Sequence, residues 1–227
     1  MNQLIKTYQK KSELIDDVSA DVVRILSEAT TLFGSGRMLL SGGGTPGPIY
    51  TEIAGKCDFL NSVQIGLIDE RFVPTHSEYS NERLIRDCFS RKDEKVYNIR
   101  GMVEVPEDRT RNLNNVRKRY KSFVERTDVA ILGMGKDGHI ASIFPGDPAS
   151  KKAREDNVPG LFNTNAPAHP EQRVSCGMEL IRRVHHLYLV IFGEEKLQVL
   201  KNLKADLPIH DITQSRPDIK IYFLENE

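Results

Sequence analysis

The stretch DVAILGMGKDGHIASIFPG, from Asp128 to Gly146, gathers the residues of this sequence best suited to chemistry. It opens as an apolar strand, then passes Gly133, Gly135, Asp137 and Gly138 to reach His139 before Pro145 and Gly146. Imidazole is the side chain suited to taking and returning a proton near neutral pH. The three glycines also spell G-x-G-x-x-G, the spacing of a dinucleotide cradle. That cradle needs its third glycine at a helix start and an acidic residue about 20 positions further on, after the next strand. Here Pro145 ends any helix after two turns, and Asp156, near the required distance, falls in a polar loop. The pattern argues against a nicotinamide cofactor.

A second candidate is SGGGTP, Ser41 to Pro46. It reads either as a flexible turn or as an anion site. Three successive glycines cost backbone entropy, and they let backbone N–H groups approach an anion at a helix N-terminus. Ser41 and Thr45 add hydroxyls beside Gly42, Gly43 and Gly44. The loop lacks the G-K-[ST] of a triphosphate loop, so a single phosphate suits it better. A third candidate is DER, Asp69 to Arg71, which offers two acids and a fixed cation or else a solvated ion pair. Lys196 falls in the first turn of an expected helix, where the dipole disfavours a cation, so an anion is expected beside it. Arg173 on its own reads as a surface charge. His76, His169, His185, His186 and His210 read as structural or surface residues. The adjacent pair His185–His186 lacks the i, i+4 spacing of a metal site, so no metal is expected.

The elements that must position these groups follow from apolar periodicity. Residues 12–33 repeat at helical spacing, and RMLLS, VQIGLI, DVAILG, HLYLVIFG and IKIYFLE read as strands. A helix is expected after Pro46, since proline is tolerated in a first turn. SNERLIRDCFS opens on a capping residue, and LNNVRKRYKSFVER and EEKLQVLKNL read as further helices. Strands alternating with helices, and apolar along their length, predict a mostly parallel, Rossmann-like α/β sheet with helices on both faces. The 227 residues are expected to form one domain. PGDPASKKAREDNVPG is the most loop-like stretch, and the sequence suggests a mobile flap there. In such a sheet, ligands bind beyond the carboxyl ends of the strands. SGGGTP, DERFVP and GMGKDGH all follow strands, which brings three distant motifs to one rim.

The totals exclude several classes. Lys+Arg and Asp+Glu both number 32, so no global field draws in nucleic acid or an anionic membrane, and an anion must be held locally. Cys57, Cys88 and Cys176 are odd in number and far apart, as in a reduced cytosolic protein. The N-terminal stretch lacks the apolar core of a signal peptide, and no apolar run reaches the ~20 residues of a membrane helix. A cytoplasmic location is expected.

Taken in order, SGGGTP, IDERFVP with YSN, and LGMGKDGHIASIFPG resemble the glucosamine-6-phosphate isomerase/6-phosphogluconolactonase family, with RVS (Arg173–Ser175) and FGEEK (Phe192–Lys196) as later motifs. The resemblance covers nearly the whole chain and is nearer the lactonase branch. The deaminases of the family read DGHIAFNEPG, with glutamate five residues after the histidine; here that position is Phe144. Where they carry tyrosine after DE, this chain has Arg71. The tail after Lys204 and the segment before Arg173 match only loosely.

The resemblance implies a sugar-phosphate lactone as substrate, hydrolysed at a site presenting His139, with no metal or organic cofactor. His139 would act as general base toward water, and Asp137 would orient the imidazole or bind a sugar hydroxyl. Arg71 or a backbone N–H of the glycine loop would stabilise the oxyanion, with Asp69 near the ring. Ser41, Gly42, Gly43, Gly44, Thr45, Arg173 and Lys196 would hold the substrate and its phosphate. The alternatives are a glucosamine-6-phosphate deaminase/isomerase and a non-enzymatic sugar-phosphate sensor. A sensor usually carries a DNA-binding helix-turn-helix, whereas this sequence is expected to open at the domain's first helix, without a basic recognition segment. A monomer, or at most a weak homodimer, is expected.

Overall fold

Short apolar runs bounded by glycine and proline become strands in the computed structural model, which describes residues 5–90, 98–203 and 205–225. In chain order the elements begin with β1 (Ile5–Tyr8), α1 (Lys11–Phe33), β2 (Gly36–Leu40), α2 (Gly47–Lys56), β3 (Val63–Leu67), β4 (Asp69–Arg71) and α3 (Asn81–Phe89). They continue with β5 (Asn98–Arg100), α4 (Arg109–Arg119), α5 (Lys121–Glu125), β6 (Val129–Leu132), α6 (Pro148–Glu155), β7 (Leu161–Asn165) and β8 (Gln172–Cys176). The last are α7 (Met178–Arg182), β9 (His186–Phe192), α8 (Glu194–Lys201), α9 (Pro208–Ser215) and β10 (Lys220–Leu224).

Seven strands pair in the order β1-β10-β9-β6-β2-β3-β5, and every pairing is parallel. All four residues of β6 are buried, as are Leu187 to Phe192 of β9, so both faces of the sheet are covered. The expected α/β class is observed. The register aligns Leu40 with Leu67 and with Ile131, so β2, β3 and β6 end at one level. Their following loops carry the three motifs. A separate antiparallel sheet, β4-β8-β7, stands beyond that level and sets Asp69 opposite Ser175 and Arg71 opposite Arg173.

Two sequence expectations are corrected. The stretch read as a mobile flap contains α6. Asp147 caps it through Oδ2, which accepts from the Ser150 amide at 2.8 Å, and Pro148 supplies a first-turn φ. Proline and aspartate here initiate a helix rather than a loop. The single helix expected over LNNVRKRYKSFVER is two, parted at Tyr120. That side chain is fully buried, and its hydroxyl accepts from the Leu67 amide and donates to the Arg100 carbonyl, each at 2.8 Å. Helix α4 also starts earlier than its apolar residues suggest, because Asp108 accepts from the amides of Thr110 and Arg111.

Candidate active site

The loop after β2 is tied to the loop after β6. Ser41 N–H donates to the Ile131 carbonyl at 3.1 Å, and Gly133 N–H donates to Ser41 Oγ at 3.3 Å. The hydroxyl of Ser41 therefore joins two motifs. Gly42 must lack a side chain: a Cβ there would lie 1.8 Å from Asn81 Oδ1, whose amide nitrogen donates to the Asp69 carbonyl at 2.9 Å. Gly44 belongs to the loop, yet it is absent from the lining of the cleft, which takes Ser41, Gly42, Gly43 and Thr45.

The G-x-G-x-x-G segment forms no helix. It folds back on itself through bridges from Ile140 to Met134 and to Ile143, with Gly135 N–H donating to the His139 carbonyl at 3.0 Å. Gly135 is required by close approach, since a Cβ would sit 2.2 Å from the His139 ring. His139 Nδ1 lies 2.5 Å from Asp137 Oδ1, and the ring rests against Phe144 with centroids 4.4 Å apart. Nε2 has no partner among the described residues, and His139 lines the cleft. The hydrogen bond to His139 holds the Asp137 carboxyl below its ordinary value.

Two adjoining cavities share Asp69, Arg71, His139 and Ala141. The first, about 200 Å³, adds the glycine loop, Asn81 and Lys196. The second, about 230 Å³, adds Asp137, Ser142, Phe144 and Arg173. The cleft thus has two cationic ends with His139 at their junction. Arg173, which alone reads as a surface charge, is instead buried, and the structure sets it in the second lobe beside Arg71, apart from the glycine loop and Lys196.

Arg71 and Arg173 stand directly opposite across β4 and β8, an arrangement that like charges disfavour without an anion. Burial, then the charge of Arg71, pushes the Arg173 guanidinium down to about 10, against the pull of Asp69 and Glu70. Its Nη1 is buried with no partner among the described residues. A buried, unpaired guanidinium nitrogen is costly, and a bound anion satisfies it.

Sequence reasoning missed the groups that hold this cleft. Asp69 Oδ2 accepts from Ser142 Oγ at 2.6 Å, and Ser142 N–H donates to Ser175 Oγ at 3.1 Å. Ser142 follows Ala141, whose φ of 51° is left-handed and strained for alanine. Glu70, only 1 % exposed, accepts from the amides of Arg71, Asn81 and Glu82 and from the Ser80 hydroxyl, at 2.7 to 3.0 Å. It thereby fixes the start of α3 and the backbone of Arg71. Burial pushes its carboxyl up to about 7 against those four donors. The signal available for Glu70 was an acid inside DER, which does not reveal a helix 11 residues away.

The remaining candidates lie elsewhere. His210 is buried between the carbonyls of Ala205 and Val199, and His169 packs its ring against Tyr79 at 5.5 Å. Cys57 and Cys176 are buried, Cys88 half-buried, and burial pushes the Cys176 thiol well up. Among the described residues, no three His, Cys, Asp or Glu side chains are grouped to hold a metal, and no helix is long and apolar enough to cross a membrane.

The sequence model of the glucosamine-6-phosphate isomerases/6-phosphogluconolactonase family matches residues 9–220. The chain belongs to this family of enzymes. A 6-phosphogluconolactonase of Neisseria meningitidis serogroup A is 31% identical over 198 residues, covering 85% of this chain and 84% of that protein. One from Rhizobium meliloti is 28% identical over 206 residues, covering 90% and 89%. Among solved structures, a putative 6-phosphogluconolactonase from Neisseria gonorrhoeae superposes with a TM-score of 0.85 at 27% identity, covering 99% of both chains. A 6-phosphogluconolactonase from Shewanella baltica superposes at 0.88 and 24% identity over 98% of both, a likeness of fold. Family membership accounts for the order of the three motifs around one cleft.

Proposed function

We propose that this cleft hydrolyses 6-phospho-D-glucono-1,5-lactone to 6-phospho-D-gluconate, with His139 as general base. The observation that carries the reading is an imidazole held at Nδ1 by Asp137, its Nε2 open where two cation-bearing lobes meet. Nε2 takes a proton from water as the oxygen attacks C1 of the lactone. Negative charge develops on the former carbonyl oxygen, and Arg71 or an amide of the glycine loop stabilises it, a contribution of about 3 kcal/mol for a well-aimed donor. The intermediate collapses with cleavage of the bond from C1 to the ring oxygen, and His139 returns its proton to that oxygen. Asp69 faces the ring hydroxyls. The phosphate sits between the glycine loop and Lys196, with Arg173 adding positive potential from the second lobe. A lactone is already electrophilic, and none of these steps calls on a metal or organic cofactor.

Lactone hydrolysis is favoured over deamination by Phe144. It lies against the imidazole where the deaminase motif has a glutamate, and it transfers no protons. The names of the relatives support the same reaction. We place the protein in the cytosol, as a single domain and a monomer or weak homodimer; three cysteines, odd in number and far apart in the sequence, support a reducing compartment.

The test is turnover of freshly generated lactone with spontaneous hydrolysis subtracted. His139→Ala should lower kcat by about 10² to 10⁴; near wild-type turnover would remove the base. Lys196→Ala should raise KM about tenfold with kcat little changed, and an unaltered KM would displace the phosphate from that lobe.

A further inference from the structure

The largest cavity described, about 490 Å³, lies away from the cleft, where α4, α5, α6 and the entry to β7 meet. Its apolar lining is Val124, Val158, Pro159, Leu161 and Phe162, and Val158 is 67% exposed. Four cations surround that lining, namely Arg117, Lys118, Lys121 and Lys152, against the single carboxylate of Asp156. Asp156 is engaged, accepting from the Val158 amide at 2.9 Å. Arg117 is also engaged: its Nε and Nη2 donate to the Leu161 carbonyl at 3.1 and 2.9 Å, with its guanidinium over the Phe162 ring. Lys121 has a loose partner, Glu125 at 3.9 Å, while Lys118 and Lys152 are exposed. A chain of zero net charge thus concentrates positive charge around this apolar hollow.

We propose that this hollow is a second ligand site, for a small amphipathic anion with an apolar tail and one compact acidic head. Size, lining and charge each narrow the occupant. The volume is that of a small-molecule pocket. Its aliphatic and aromatic lining takes a tail and offers little to a sugar or base. The lysine ammonium groups take the head, and their aliphatic stems extend the apolar wall. Attraction at such an exposed rim is screened by salt, so binding weakens as ionic strength rises. The site is not isolated from the cleft: Phe162 pairs with Ser175 across β7 and β8, and Ser175 with Asp69 across β8 and β4.

The experiment is calorimetric titration of the full chain with decanoate below its micelle concentration. Saturable binding is expected, weakening with added salt and by about tenfold or more in the Lys118→Glu/Lys152→Glu variant. Val158→Asp, which places a carboxylate beside the tail, should do the same. These three side chains are exposed, so the variants should keep the wild-type melting curve, which is recorded alongside. Decylammonium, with the same tail and opposite head, should show no saturable binding. The proposal is overturned by absence of saturable decanoate binding, by unchanged affinity in both variants, or by equal binding of decylammonium. Tighter binding of a leucine- and glutamate-rich peptide than of decanoate would overturn it in favour of a protein partner. None of these readouts depends on the reaction assigned to the cleft.

Discussion

Ser142 and Asp69 form the shortest link between the His139 bend and the antiparallel sheet. The hydroxyl is buried and spends its proton on the carboxylate, so it serves as a positioning group and not a nucleophile. Ser142→Ala should lower kcat/KM for the lactone about tenfold by freeing the Asp69 carboxylate to rotate. If the serine acts through that carboxylate, the same substitution in an Asp69→Asn background should cost less than about twofold. Additive losses in the cycle would show a general packing role instead. At this scale the sequence was legible where a residue's chemistry is its function. The sequence singles out His139, Asp137, Arg71, Asp69 and Lys196, and the fold brings all five to the lining of the cleft. It was illegible where function depends on a distant partner: a buried serine or glutamate has no local mark, and Glu70 is explained only by α3 arriving at its carboxylate.

Helix α6 shows the same limit for an element. Read along the chain, PGDPASKKARE has the composition of a loop, because its helix is specified by one cap and not by apolar periodicity. Asp147 holds the helix start and also accepts from the Asn165 amide at 3.1 Å, binding α6 to the end of β7. Burial raises its carboxyl, and the bonds from Ser150 and Asn165 bring it below the ordinary value. Asp147→Ala should therefore cost about 1–2 kcal/mol and lower the melting temperature by about 2–6 °C. A melting curve within a degree of wild type would mean that α6 does not rely on its cap. Five strands of the parallel sheet, β2, β3, β6, β9 and β10, were legible because buried parallel strands are continuously apolar. The short outer strands β1, which precedes the helix expected to open the domain, and β5 were not, since neither has a fully buried residue. Strands β7 and β8 were not, since LFNTN and QRVSC mix polar with apolar residues. They stand on a small sheet whose alternate side chains serve the cleft, as Arg173 and Ser175 do.

Across the whole molecule, one carboxylate joins the first helix to two strands of the parallel sheet. Asp21 of α1 accepts from Lys220 at 2.6 Å and Tyr222 at 2.9 Å on β10, and from Tyr188 at 3.3 Å on β9, so a single side chain fastens the long first helix to two neighbouring strands. Burial works to raise its carboxyl, and the bonds from Lys220 and Tyr222 outweigh it, bringing the group from 3.8 down to about 2. A native value below the unfolded one means the fold favours the ionised form. The stabilisation is present above about pH 4 and fades as pH falls through about 2, below which both states are protonated. Equilibrium urea unfolding across that window should show stability falling with acid, and Asp21→Asn should remove about 1–2 kcal/mol of that fall while lowering stability at neutral pH. Equal acid dependence in wild type and variant would shift the fastening to the apolar contacts between α1 and the sheet. Activity at neutral pH should survive the substitution in whatever fraction remains folded, because Asp21 touches the far strands of the sheet and none of the loops that form the cleft.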